Sequence, residues 1–194
     1  MNDLVILSMM LDGPKYGYQL KREAGLIMGQ ALHNNLVYPS LRRFLGEGWV
    51  SRKAVPGERG QTRQQYMLSA GGRRHLFERL NDFGEAEASS ESAFYLRVGL
   101  FAAIEPASRE MILGRRESFL QSQDRRLAAL QANLELGKFG GEIVAHMRKK
   151  IETECEWIRH LRRLAKLAGP KTVPDKPAAS RAAVPKSAAH RRSL

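Results

Sequence analysis

The chain has 194 residues, enough for one or two compact domains, and 43% of them are hydrophobic, an ordinary share for a folded protein. Its 32 Lys and Arg against 20 Asp and Glu give a net charge of +12, which favours a polyanionic partner, either nucleic acid or an acidic membrane surface. A single cysteine, Cys155, excludes an intramolecular disulfide and a thiolate metal cluster. No run of about 18 apolar residues is present to span a membrane.

The charge is divided unevenly. Residues 1–84 carry 12 basic and 7 acidic side chains, residues 85–168 carry 14 and 12, and residues 169–194 carry 6 and 1. The division implies a basic binding module over 1–84, a nearly neutral helical module over 85–168 and a basic tail over 169–194. Met1-Asn2-Asp3 lacks the positive flank of a signal peptide, so the expected location is cytoplasmic.

Leu4 to Leu11 is apolar almost all round, which predicts a buried first helix stopped by Asp12-Gly13-Pro14. Lys15-Tyr16-Gly17-Tyr18 leads into a second helix whose inner side draws on Tyr18, Leu20, Ala24 and Ile27. Lys15 and Tyr16 stand just before it, where free backbone N–H groups can meet a phosphate or simply form a surface turn. Met28 to His33 is a connector.

Asn34 to Gly48 reads as a third helix. Asn34 or Asn35 caps it, Pro39 lies near the first turn, and Gly48 closes it in a left-handed conformation. Val37, Leu41, Phe44 and Leu45 recur at helical spacing as the buried stripe, which leaves Tyr38, Ser40, Arg42 and Arg43 outward. Such a face suits a DNA major groove, where arginine grips phosphate or guanine edges; it equally describes an ordinary solvated helix.

Beyond Gly48 the period changes. Trp49 to Val55 and Thr62 to Leu68 are β-favouring, and the Gly-rich loop between them predicts a hairpin. Ser69 then caps a helix from Ala70 to about Phe83. Three helices, a hairpin and a further helix make the order of a winged helix-turn-helix, with Arg59, Gln61 and Arg63 on the wing. Lys15 and Tyr16 join those three as expected backbone contacts.

These motifs together resemble the PadR family of bacterial transcriptional regulators. The resemblance is carried by Gly13-Pro14-Lys15-Tyr16-Gly17-Tyr18, Leu36-Val37-Tyr38-Pro39-Ser40-Leu41, Glu47-Gly48-Trp49-Val50 and Tyr66-Met67-Leu68-Ser69-Ala70-Gly71-Gly72, and covers most of residues 3–80. It implies a recognition helix with base contacts at its start, around Asn35, and a helical C-terminal region that builds a homodimer. The chain departs from the family where Asn35-Leu36 replaces Gly-Thr or Gly-Ser, where Phe44 replaces a common Leu, and where Gln65 replaces a second wing tyrosine.

Residues 85–92 read as a linker or frayed helix end, and Ala93 to Ile104 as an amphipathic stretch containing Phe94, Leu96, Leu100 and Phe101. Glu105-Pro106 is expected to break it. A long helix capped at Ser108 then runs to Leu136, carrying Phe119 or Leu120, Leu127, Leu130 and Leu134 near heptad spacing. Gly137 to Gly141 interrupts, and Glu142 to Ala168 forms a second long helix with Val144, Met147, Ile151, Ile158, Leu161 and Leu164 on one side. Two such helices form an antiparallel hairpin whose remaining apolar surface calls for a second copy of the chain. Phe94, Phe101 and Trp157 are the candidate residues for that interface or for a small-molecule effector pocket. Residues 169–194 hold too little apolar area to offset ordering entropy and are expected to be disordered.

No catalytic residue, metal site or cofactor is expected. The five histidines are scattered and no Gly-rich phosphate loop follows a strand. His146 and Cys155 are expected to approach on one helix face, yet two ligands do not close a metal site. The sequence therefore leads to a mainly α fold with a small β-hairpin wing. Its expected function is that of a dimeric, sequence-specific regulator of transcription, a repressor relieved by a small molecule or another signal, bound to a pseudo-palindromic operator on double-stranded DNA. The alternative is a winged-helix adaptor, or a charge-driven nucleic-acid binder without sequence readout.

Overall fold

The computed structural model describes residues 2–28, 34–57 and 61–167. The expected disordered tail, Arg59 and His33 lie outside them.

The first part of the chain comprises α1 (Asn2–Ser8), β1 (Lys15–Tyr16), α2 (Gly17–Met28), α3 (Asn34–Gly46), β2 (Val50–Pro56), β3 (Thr62–Leu68) and α4 (Ala70–Asn81). Leu7, Leu20, Val37, Phe44 and Leu76 are fully buried where the four helices meet. Burying each such side chain is worth about 1.5–3 kcal/mol. Tyr18 does not join this core; it is 53% exposed and stacks on Tyr16.

β2 and β3 pair antiparallel from Val50 opposite Leu68 to Pro56 opposite Thr62. β1, a two-residue strand that carries no periodicity of its own, adds to the other edge of β3, giving the order β1-β3-β2. Only Val50, Tyr66 and Leu68 are buried, so the end of the hairpin nearest α4 is anchored and the far end stands clear as a wing. The fold is mainly α with this small three-stranded sheet.

Two local devices fix the wing on α3. Gly48 has φ 69°, and the Trp49 N–H reaches back to the Phe44 carbonyl at 2.9 Å while the Gly48 N–H reaches Leu45 at 3.2 Å. This paired closure ends α3, and the Phe44 and Trp49 rings, 5.7 Å apart, supply the apolar contact that accompanies it. Ser69 caps α4 by accepting the Gly72 N–H at 2.9 Å and donates to the Gly48 carbonyl at 2.6 Å. A Cβ on Gly72 would lie 1.9 Å from the Trp49 carbonyl oxygen, so only glycine lets α4 approach the wing this closely.

Pro39 is the sixth residue of α3, past the first turn, so its missing N–H removes a donor to the Asn35 carbonyl. The capping side chains of Asn34 and Asn35 lie outside what is described.

The rest comprises α5 (Glu85–Ser89), α6 (Glu91–Gly99), a 3-10 turn (Phe101–Ala103), α7 (Pro106–Asn133) and α8 (Lys138–Leu167). Residues 85–92 are therefore not a linker. Glu87 accepts the Gly84 N–H at 3.1 Å to start α5, and Ser90 accepts the Ala93 N–H at 3.3 Å to start α6. The 93–104 stretch ends before Pro106, which opens α7 at its first turn, where a missing N–H costs nothing; the cap position is Glu105 rather than Ser108. Gly140 and Gly141 lie inside α8 rather than in the turn.

α7 and α8 run antiparallel, and ion pairs mark their register: Arg162 with Glu110 and Glu117 at 2.8 and 2.6 Å, Arg116 with Glu154 at 2.8 Å, and Arg148 with Asp124 at 2.8 Å. Val144, Ile158 and Leu161 are buried against α7, as Leu120 and Leu127 are against α8. Met147 and Leu164, expected on the same side, are 45% and 48% exposed, and Leu130 and Leu134 are also exposed. The apolar arc of α8 is wider than α7 can cover. One apolar core nevertheless runs unbroken from Leu4 in α1 to Leu161 in α8.

Candidate nucleic-acid interface

α3 presents Tyr38, Arg42 and Arg43 to solvent, as its periodicity predicts. Ser40 does not join them. It is buried at 6% exposure, because it lies three residues after Val37 and four before Phe44, on the inner stripe itself.

The three exposed side chains differ in freedom. Arg43 donates from Nη2 to Asp3 Oδ1 of α1 at 2.6 Å and lies 5.4 Å over the Phe44 ring. Arg42 makes no ion pair among the described residues and is the unengaged cation of the helix face. Tyr38 packs its ring against Gly17, where a Cβ would fall 2.8 Å from Cε1. The glycine of the Tyr16-Gly17-Tyr18 turn thus admits the tyrosine of α3, and two separate sequence motifs become one surface.

Lys15 and Tyr16 are placed otherwise than expected. Their backbone is strand β1 on β3, and the Tyr16 N–H donates to Gln19 Oε1 at 2.9 Å, so it is not open to a phosphate. Lys15 Nζ is paired with Glu23 at 2.9 Å. The Tyr16 and Tyr18 rings, 5.7 Å apart and nearly parallel, form an aromatic platform beside Tyr38.

On the wing, the Gly57 N–H donates to the Gln61 carbonyl at 2.7 Å and closes the loop. Gln61 is exposed, while Arg63 is half-buried against Gly57, where a Cβ would meet its Nε at 2.9 Å. The sequence pattern does not single out Arg52 and Lys53, yet both are exposed on β2. Their signal is a pair of consecutive basic residues in an edge strand, one on each face of the hairpin. α3 and the wing together hold Arg42, Arg43, Arg52, Lys53 and Arg63, of which Arg43 is paired with Asp3.

The second set of candidate residues separates. Phe94 is fully buried, so it is a core residue of this chain and not an interface residue. Phe101 is half-buried on the 3-10 turn. Trp157 is 36% exposed and meets Phe94 edge-on at 5.9 Å and Tyr95 at 5.7 Å. Tyr95 of α6 lines a surface cleft of about 390 Å³ together with Trp157, His146, Lys149 and Lys150 of α8. Burial first, then Glu154 and Glu91, push the Tyr95 hydroxyl above its ordinary range.

His146 and Cys155 do not approach. Nine residues apart on a helix, they point to opposite sides: His146 to this cleft, Cys155 to a second groove between α7 and α8. Burial pushes the Cys155 thiol above its ordinary range, with Glu117 and Glu154 adding to the effect. Among the described residues no group of three or more His, Cys, Asp or Glu could hold a metal ion, and no helix is long and apolar enough to cross a membrane.

A family match covers most of this winged unit. Residues 6–78 match the transcriptional regulator PadR-like family, from α1 through most of α4. This segment is a PadR-like domain. The matched span contains Tyr38, Arg42, Arg43 and both strands of the wing. Among solved structures, a Thermoplasma acidophilum protein is 27% identical, covering 40% of this chain and 75% of its own, with TM-score 0.39. Bacillus subtilis PadR in complex with operator DNA is 14% identical, covering 84% and 98%, with TM-score 0.42. A PadR-like regulator from Bacillus cereus is also 14% identical, covering 84% and 94%, with TM-score 0.37. No curated protein matches the chain. The assignment of the PadR-like domain therefore rests on the family match and on the elements described above.

Proposed function

We propose that the chain is a homodimeric, sequence-specific DNA-binding regulator of transcription, acting as a repressor that a small molecule relieves. The observation that carries the DNA-reading part is the free face of α3. Arg42 is exposed and unengaged beside Tyr38, on a helix whose position is fixed on one side by the Gly17 contact and on the other by the Gly48–Ser69 junction. An unengaged arginine on a rigid helix can take a guanine edge with its fork, while Lys53, Arg52 and Arg63 on the wing meet phosphates. Arg43, tied to Asp3, is a phosphate contact that exchanges one anion for another.

Dimerisation is supported by the uncovered side of α8. Phe139, Ile143, Met147, Trp157 and Leu164 are 81%, 60%, 45%, 36% and 48% exposed. At about 3.6 residues per turn these five fall on one stripe of the helix, an open seam. A second copy laid along this seam removes the apolar surface that α7 leaves open. Two PadR-like domains then face successive major grooves of a pseudo-palindromic site about one helical turn apart. The cleft walled by Tyr95 and Trp157 lies on the same seam, where a planar ligand would alter how the two copies meet.

Fluorescence anisotropy on several duplexes across a salt series tests the reading. A regulator keeps a sequence preference as salt rises, whereas a protein bound by charge alone loses discrimination along with affinity.

A further inference from the structure

The DNA-reading module and the helical region are joined by one buried cation. Arg97, on α6, is 3% exposed. Its guanidinium donates to four backbone carbonyls: Nε to Leu80 at 3.0 Å, Nη2 to Arg79 at 3.2 Å and to Asp82 at 2.8 Å, and Nη1 to Ala93 of its own helix at 3.0 Å. Three of these carbonyls are the open C-terminal groups of α4, the last helix of the winged part. The guanidinium plane lies 4.8 Å over the Phe83 ring.

We infer that Arg97 is a positioning residue: it caps α4 from the helical region and so sets the orientation of the DNA-reading module on the α7–α8 hairpin. The physical reasons are cumulative. A cation is stabilised at a helix C-terminus, where the carbonyls carry partial negative charge. A planar fork with five donors can hold several carbonyls in one fixed geometry, which a lysine ammonium on its flexible stem cannot. Burial lowers the Arg97 pKa, yet guanidinium remains charged in a protein, so the contact persists at every ordinary pH. Two neighbours brace the same connection: Arg115 donates to the Phe83 carbonyl, and Arg116 to the Ala88 carbonyl at 2.6 Å. Arg97 differs from them in holding the last carbonyls of α4 itself, those of Arg79 and Leu80.

The consequence for operators rests on the function proposed above. If two modules are held rigidly on a dimer, half-site spacing is set by protein geometry, and loosening the joint widens the accepted spacings. Two measurements separate the joint from the DNA reading. In the first, spin labels replace the exposed Gln64 on the wing and Gln121 on α7 in a Cys155→Ala background, with labelled chain diluted into unlabelled chain. The native chain gives one narrow distance distribution, and Arg97→Lys and Arg97→Met broaden it while the chain still melts cooperatively. Should Arg97→Met unfold, Arg97→Lys alone carries the test. In the second, competition binding uses duplexes with two half-sites whose spacer varies one base pair at a time, together with an isolated half-site. The native chain favours one spacer by about tenfold; the variants lose most of that preference and keep their affinity for the half-site. Unchanged distances and unchanged spacer preference in both variants overturn the inference. Absence of any sequence preference in the native chain refutes the proposed function instead, and the distance measurement still decides the role of Arg97.

Discussion

Glu154→Ala is expected to be among the most destabilising single substitutions in the helical region. Arg116 is 2% exposed by side chain and Glu154 13%. The pair is bidentate, with Nε and Nη2 of Arg116 at 2.8 and 3.0 Å from the two carboxylate oxygens, and Nη1 turned to the Ala88 carbonyl at 2.6 Å. Phe94 and Phe119 flank the guanidinium, each ring centre 5.5 Å away. Removing one partner leaves an uncompensated buried charge, which costs about 3–5 kcal/mol. In a chain of this size each kcal/mol lowers Tm by about 2–4 °C, so a fall of about 10 °C is expected. Arg116→Met combined with Glu154→Ala removes both charges and leaves only the Ala88 carbonyl short of a donor, a penalty of about 1–3 kcal/mol. The double variant is therefore more stable than Glu154→Ala, with a coupling of about 2 kcal/mol. Urea denaturation followed by circular dichroism at fixed protein concentration measures all four corners of this cycle. A Glu154→Ala cost below about 1 kcal/mol would refute the reasoning, since only solvent-screened pairs are that cheap to break.

Four further outcomes follow from the same contacts. Arg42→Ala should cut affinity for the operator by about 1–3 kcal/mol and affinity for random duplex far less, measured by competition; an equal loss on both would reduce Arg42 to a phosphate contact. Gly72→Ala places a Cβ 1.9 Å from the Trp49 carbonyl, so it should destabilise by about 2–4 kcal/mol or displace the wing, and a neutral melt would contradict the packing at that junction. Met147→Lys introduces a charge into the exposed seam of α8 and should shift the sedimentation coefficient toward monomer without lowering helicity; an unchanged coefficient places the dimer contact elsewhere. Cys155, half-buried with its thiol held above the ordinary range by burial, should react with a thiol reagent at pH 8 more slowly than a free cysteine peptide, and equal rates would contradict its packing against α7.

The winged part was legible because its signals are local. Apolar residues at helical spacing, the glycine after Glu47, the Gly-rich loop between two β-favouring runs and Ser69 before Ala70 each act within a few residues. Ser40 lies at the margin of the stripe formed by Val37, Leu41, Phe44 and Leu45, where the spacing to Val37 and Phe44 puts it on the inner side. β1 escaped because two residues have no period, and its existence depends on β3, some fifty residues later. The helical region yielded less. Arg97, Arg109 and Arg116 look like ordinary solvated charges in a nearly neutral segment, yet each is buried. Their acceptors include backbone carbonyls and a glutamate brought near only by the fold, and no sequence pattern announces a carbonyl. The two sides of α8 were merged for a related reason: an apolar arc this wide serves α7 and an open seam at once, and periodicity alone does not divide it.

Selection of bound duplexes from a random pool, with the full chain at near-physiological salt, tests the central claim most directly. The account predicts an enriched pseudo-palindromic consensus whose half-sites lie about one helical turn apart, with its preference at the inner positions weakened by Arg42→Ala. Recovery of unenriched sequence, with binding that falls steeply in salt for every duplex alike, would contradict sequence reading by α3 and leave a protein held to nucleic acid by charge alone.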